Sequence, residues 1–212
     1  MLKLNVKIAL VAGLISTIFP ELFAKTRIMG RARCSEHQMR SYLKQQNPKI
    51  NKKYLELPRL YLEEGKKEGV RGDIAFAQSL HETGFFKFGG DVLPEQNNFA
   101  GIGTVGNGEK GHIFKIPREG IRAQIQHLKA YASHKKLNYD CIDPRFAKVK
   151  RGIAPCVEDL AGYWAYPGFD TKKYKTLKMA QKKRDTYGHA ILRHYRNILK
   201  LERVPKKLPK GK

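Results

Sequence analysis

Prolines and glycines cut this chain into short stripes of helical period, and that punctuation constrains its fold more than any other feature. Ser35 followed by Gln38 reads as a capping box that opens a helix towards Leu43, and Asn47-Pro48 ends it. A second helix is expected from near Pro58 to Glu68, stopped by Gly69. The third takes Asp73 as its N-cap, puts Ile74, Ala77, Gln78 and His81 on one stripe, and stops at Gly84. Pro117 begins an amphipathic helix with Ile121, Ile125, Leu128 and Ala132 on its buried side. Another helix is expected from Pro155 to about Trp164. Asp185 caps a last one bearing Tyr187, Ile191, Tyr195 and Ile198. Between these groups, Asn97 to Ile116 is rich in glycine and short β-prone runs, with Asn107-Gly108 as a hairpin turn. The order implies an α+β, mainly α domain with one small β lobe.

The N-terminus points to export. Lys3 and Lys7 precede the uncharged apolar run Ile8–Phe19, and Leu22-Phe23-Ala24 offers a cleavage site before Lys25. The run is too short for a stable bilayer span, so a secreted or envelope-associated protein is expected. The domain reading is a signal peptide over 1–24, a basic arm over 25–53, a main folded domain over 54–202 and a flexible basic tail over 203–212. Lys+Arg total 42 against 19 Asp+Glu, a net charge of +23, which favours a polyanionic partner. Anionic cell-wall polymers fit both the charge and the export signal. Nucleic acid fits less well, because the chain carries no recognition motif for it.

The three cysteines are read against an oxidising destination. Cys141 and Cys156 are the pair close enough in sequence to bridge a loop, leaving Cys34 free; three reduced thiols are the alternative. None has zinc-site spacing, so neither a metal nor a cofactor is expected.

Glu82 is the candidate for chemistry. At the end of a helix the macrodipole disfavours its ionised form, and Phe85, Phe86 and Phe88 could strip water from it. A carboxyl kept protonated is what glycoside cleavage requires, since the leaving sugar oxygen must receive a proton. An ordinary helix-end glutamate beside core aromatics is the plain alternative.

The runs AFAQSLHETGFFKFGGD, PEQNNFAGIG and IPREGIRAQIQHLKAYA closely resemble the bacterial glucosaminidase family of peptidoglycan hydrolases. DPRF, RGIAP, LAGYWAYPGFD and TYGHAIL resemble its second half, so the likeness runs from about Ile28 to about Leu199. It implies a lysozyme-like, mainly helical domain with a small β lobe over the cleft, acting as a monomer on peptidoglycan glycan strands. It implies Glu82 as the acid and Tyr187 as a catalytic partner facing it. Asn97, Asn98, Gly101 and Ile102 map to the cleft edge, and Phe99 and Trp164 are further expected sugar contacts. Turn closure by the two asparagines, a buried Tyr187, a packed His81 and an aromatic core corner around Trp164, Tyr166 and Phe169 remain open. The second carboxylate is open too, with Glu109, Glu119, Asp91 and Glu95 as candidates. The implied activity is an endo-β-N-acetylglucosaminidase. A lytic transglycosylase, a muramidase and a non-catalytic cationic wall-binding protein are its rivals.

Overall fold

The computed structural model describes residues 24–90, 92–104 and 111–204. Its elements are α1 (Glu36–Gln46), α2 (Leu57–Glu68), α3 (Gly72–Glu82), α4 (Pro117–Ala132), α5 (Leu177–Lys182) and α6 (Tyr187–Leu199), joined by short 3-10 turns. The domain is mainly helical. No described helix is long and apolar enough to cross a membrane. The leader and the tail from Pro205 onward lie outside the described residues.

α3 is the central element. Ile74, Ala75, Phe76, Ala77 and Leu80 are fully buried, and so are the polar Asp73, Gln78 and Ser79. The helix is enclosed by α2 on one side and α6 on another, with α4 also touching it. Two glycines allow the closest approach. A Cβ on Gly72 would come within 2.1 Å of the Tyr61 carbonyl oxygen, and one on Gly65 within 2.7 Å of Gly72 N. α2 and α3 therefore meet backbone to backbone, which brings Tyr61 of α2 against the polar face of α3.

α1 begins with the expected capping box: Gln38 N donates to Ser35 Oγ at 3.3 Å, and Ser35 N to Gln38 Oε1 at 2.9 Å. The segment 25–53 is not a separate arm. Ile28, Met39 and Leu43 are fully buried in the main core, while the cations of the segment point outward. α2 ends at Gly69, whose φ of 70° closes the helix as a left-handed cap. α4 buries Ile121, Ile125, Leu128 and Ala132, and α6 buries Ile191, Tyr195 and Ile198, as their stripes require.

Four expectations are corrected. Asp73 does not cap α3; Arg71 holds that position. The Asp73 carboxylate instead accepts from Arg33 N at 2.7 Å and Cys34 N at 3.0 Å, tying the N-terminal segment to α3. Asp185 does not cap α6, where Thr186 stands; it binds Lys173 Nζ at 2.6 Å and the Tyr174 hydroxyl at 2.9 Å. No α-helix runs from Pro155 to Trp164. A 3-10 turn over Val157–Leu160 ends there, because Ala161 is extended and Gly162 is left-handed at φ 89°. The Cys141–Cys156 bridge is not formed, and all three cysteines are free. Cys141 Sγ donates to the Asp143 carbonyl, while Cys156 sits among Lys25, Arg27, Glu158 and Asp159, so the two thiols have different surroundings.

The small β lobe is not seen among the described residues: Asn97 to Ile116 contains no strand there, and the chain's isolated bridges lie elsewhere. Val105 to Lys110, with the Asn107-Gly108 turn, lies outside the described residues. Side-chain amides do the work of a ladder. Gln96 Nε2 donates to Gly111 O at 2.7 Å, Asn97 Nδ2 to Phe114 O at 2.9 Å, and Asn98 Nδ2 to Ile102 O at 2.9 Å.

Candidate functional site

Glu82 is the last residue of α3 and lies on the wall of a cleft of about 340 Å³, with Thr83, Phe88, Asn98, Gly101 and Thr104 also lining it. The chain leaves the helix through a left-handed hook: Gly84, Phe85 and Phe86 have φ of 56°, 62° and 57°, and Phe88 has 59°. Such conformations are costly for residues with a Cβ. Packing offsets that cost. Phe86 stacks on Tyr54 at 5.3 Å between ring centres, and Phe85 meets Tyr42 and His194. Thr83 Oγ1 accepts from Phe86 N at 2.9 Å, and Asn47 Nδ2 donates to Phe85 O at 3.0 Å. Of the three phenylalanines, Phe88 alone lines the cleft. The other two anchor the hook.

One side of the Glu82 carboxylate opens to solvent, while protein packed around its other sides takes water away. This desolvation raises its pKa, opposed by hydrogen bonds from Tyr187 and Trp164. Both donors are neutral. The Tyr187 hydroxyl donates to Glu82 Oε1 and accepts from Gln78 Nε2 at 2.8 Å. Burial, then the neighbouring Glu82 charge, pushes the Tyr187 phenol well above its ordinary pKa, so it stays a proton-bearing donor. Tyr187 N donates to Gly168 O at 2.8 Å, which ties the start of α6 to the loop that carries Trp164.

Glu82, Tyr187 and Trp164 thus come together, with Asn98 and Gly101 along the same cleft. Asn98 is 1% exposed, and its amide is committed to loop backbone, accepting from Ile102 N at 2.9 Å. Asn97 is likewise a turn residue, left-handed at φ 50°. Phe99 is buried against Tyr54 and Phe86 and does not line the cleft. Trp164 is half-buried, with its ring 4.9 Å from His127 and 5.7 Å from Tyr131, whereas Tyr166 is 90% exposed. His81 packs on Tyr187 at 5.5 Å; desolvation and Arg193 hold its pKa down.

Among the described residues, no second carboxylate lines this cleft. Glu95 is exposed on a 3-10 turn, and Glu119 accepts from Lys115 N at 3.0 Å across the start of α4. Asp91 and Glu109 lie outside the described residues. No group of His, Cys, Asp or Glu among the described residues is arranged to hold a metal. A larger hollow of about 450 Å³ is lined by Arg27, Arg31, Arg33 and Arg71 without a carboxylate, so it has no group suited to protonate a sugar oxygen. Sequence reasoning missed Gln78 as a partner of Tyr187 and Gln96 as a loop pin. Gln78 stands one helical turn before Glu82, a spacing that could have marked it.

The glucosaminidase family model, described as mannosyl-glycoprotein endo-beta-N-acetylglucosaminidase, matches residues 58–200. The chain belongs to the glucosaminidase family. Its membership makes it a glycoside hydrolase-type domain of the peptidoglycan-hydrolase class. The glucosaminidase match takes in Glu82, Tyr187 and both helices that carry them. The chain is also 43% identical over 151 residues to an uncharacterized protein of Borreliella burgdorferi (strain ATCC 35210 / DSM 4680 / CIP 102532 / B31), covering 71% of this chain and 74% of that one. No solved structure matches it significantly.

Proposed function

We propose that this glucosaminidase is an exported endo-β-N-acetylglucosaminidase that cuts the GlcNAc-β-1,4-MurNAc bond of peptidoglycan, with Glu82 as its general acid. One observation carries the reading: a cleft carboxyl whose pKa is raised by desolvation, held by neutral donors alone. Such a group keeps its proton at a higher pH than a free glutamate and can deliver it to the leaving oxygen.

The proposed route uses a single protein carboxylate. Glu82 protonates the glycosidic oxygen while the carbonyl oxygen of the substrate's own 2-acetamido group attacks the anomeric carbon, and the glycosidic bond breaks. Water then opens the resulting oxazolinium ring, returning its proton to Glu82 and leaving a GlcNAc end. Glu82 is the carboxylate among the described lining residues, and Asp91 and Glu109, outside them, are tested below. Inversion would need a carboxylate about 6.5–9.5 Å from the acid to activate water. Tyr187, whose hydroxyl is shared between Glu82 and Gln78, acts through the acid rather than on the acetamido group.

Mass spectrometry of reduced digestion products tests the bond. A reduced GlcNAc end supports the proposal; a MurNAc end makes the protein a muramidase, and an anhydro end makes it a transglycosylase. Glu109→Gln and Asp91→Asn should each keep most activity. A collapse in either one as deep as that of Glu82→Gln, with folding intact, would replace the single-carboxylate route by inversion. The net charge of +23 supports retention on anionic wall polymers, which should weaken steeply with salt.

A further inference from the structure

Four hydrogen bonds run in one direction through the core and end on Glu82. Tyr61 on α2 donates its hydroxyl to Gln124 Oε1 at 2.7 Å. Gln124 on α4 donates from Nε2 to Gln78 Oε1 at 2.8 Å. Gln78 on α3 donates from Nε2 to the Tyr187 hydroxyl oxygen at 2.8 Å, and Tyr187 on α6 donates to Glu82 Oε1. Tyr61, Gln78 and Gln124 are each 0% exposed. Bulk water does not compete for these bonds.

One backbone atom sets the direction. Gln124 Nε2 also donates to the Ala75 carbonyl oxygen at 2.9 Å, and a carbonyl oxygen can only accept. The amino end of Gln124 must therefore face α3, and its second N–H meets Gln78 Oε1. Gln78 in turn must present its amino end to Tyr187. With its oxygen already accepting from Gln78, the Tyr187 hydroxyl sends its single proton to Glu82. Flipping either amide would oppose two donors or two acceptors inside a dry core.

The chemical consequence falls on the acid itself. Oε1 of Glu82 accepts from Tyr187, so in the protonated acid the relay favours the mobile proton on Oε2; the Trp164 donor is common to the wild type and every variant below. That oxygen faces the cleft: a Cβ on the cleft residue Gly101 would stand 4.0 Å from it. We propose that Gln78 and Gln124 are positioning residues that lock Tyr187 as a donor and so hold the Glu82 proton on Oε2, toward the leaving sugar oxygen. This rests on the reading of Glu82 as the acid.

The test uses the full chain on soluble glycan, with kcat, KM and the pH profile as readouts. In Gln78→Met the donor is lost with little change of shape. Tyr187 can then turn and accept from the acid, so the proton divides between the two oxygens. We expect kcat to fall about tenfold, with KM held within about twofold. The alkaline limb of kcat should move upward, because ionised Glu82 loses a committed donor. Gln78→Glu is isosteric, accepts from both Gln124 and Tyr187, and should move the limb further the same way. Gln124→Met frees Gln78 to flip and should give the same shifts at smaller size.

The other groups around the pair do not confuse the limb. Desolvation, His81 and Arg193 bring His194 to about 4, and desolvation with Arg193 holds His81 below its usual range, so a limb that moves upward moves away from both. Burial pushes the Tyr131 phenol upward, above its ordinary value. If one variant fails to fold, the other two carry the test. Unchanged kcat and limb in the folded variants, with Glu82→Gln inactive, would overturn the wiring alone. An active Glu82→Gln would overturn the acid and the wiring together.

Discussion

Glu64 and Glu82 lie on neighbouring helices, and the fold treats them in opposite ways. Glu64 is 1% exposed in the seam between α2 and α4. It accepts from Arg118 at 2.6 Å, Arg122 at 2.7 Å and Lys67 at 2.9 Å. Burial alone would raise its pKa, but the bonds from Arg122, Lys67 and Arg118 outweigh burial and bring it to about 2. Glu82 opens to solvent and yet moves upward, because neutral Tyr187 and Trp164 only partly offset desolvation. Exposure does not decide the sign; the presence of a cation at hydrogen-bond distance does. The seam uses its carboxylates for stability. The cleft keeps one that is uncomfortable when charged, which is the state a proton donor should avoid.

The largest effect that could break this contrast is Glu82→Gln. Cleavage of glycan should fall by about 10²–10⁴-fold. Stability should not fall with it. A carboxyl whose folded pKa is raised contributes fully below its unfolded value and loses that contribution as pH rises through the folded value. At pH 7–8 the neutral glutamine should therefore match or exceed the wild-type thermal midpoint. A clearly lower midpoint would mean that ionised Glu82 is stabilised by the fold.

Next in size is the second carboxylate of the seam. Glu68 pairs with Lys129 at 2.7 Å, both nearly inaccessible, and also accepts from Asn138 N at 2.9 Å. Lys129→Met would strand that charge and should cost about 3–5 kcal/mol in urea unfolding. Specific activity of the folded fraction should be unchanged, since the pair lies outside the cleft lining.

Glu64→Gln should cost somewhat less. A fall in pKa from 4.5 to about 2 corresponds to about 3 kcal/mol at neutral pH. Its folded pKa is depressed, so this contribution is present above the unfolded value and disappears as pH falls from 4.5 towards 2. Acid titration of stability should lose that segment in Glu64→Gln. An identical acid profile in wild type and variant would remove Glu64 from the comparison. The smallest effect should come from Asp185→Asn, which breaks a solvent-exposed pair with Lys173. Exposed pairs contribute little, and the thermal midpoint should stay within error.

Much of this was legible in the chain itself. Helix boundaries followed from local chemistry: the Ser35–Gln38 box, Pro58, Gly69 and Pro117 act within a few residues of where they stand. Glu82 at the end of a helix was legible for the same reason. The apolar stripes of α4 and α6 named their buried faces because helical period is a property of the segment. Asp73 and Asp185 misled because a carboxylate near a helix start can serve any nearby donor, and other segments offered better ones. The cysteine pairing failed because closeness in sequence says nothing about which loops meet.

The sequence by itself determined the helical segments, the net charge, the glucosaminidase resemblance and the candidate acid, since each is set by neighbours along the chain. Only the tertiary structure decided what Glu82 experiences. Its donors arrive from Trp164 and Tyr187, the latter 105 residues away, and its desolvation depends on surfaces from several elements. The same holds for the amide relay, whose members come from α2, α3, α4 and α6. A hydrogen bond has a direction only when both partners are in place, so proton position is a property of the assembled core.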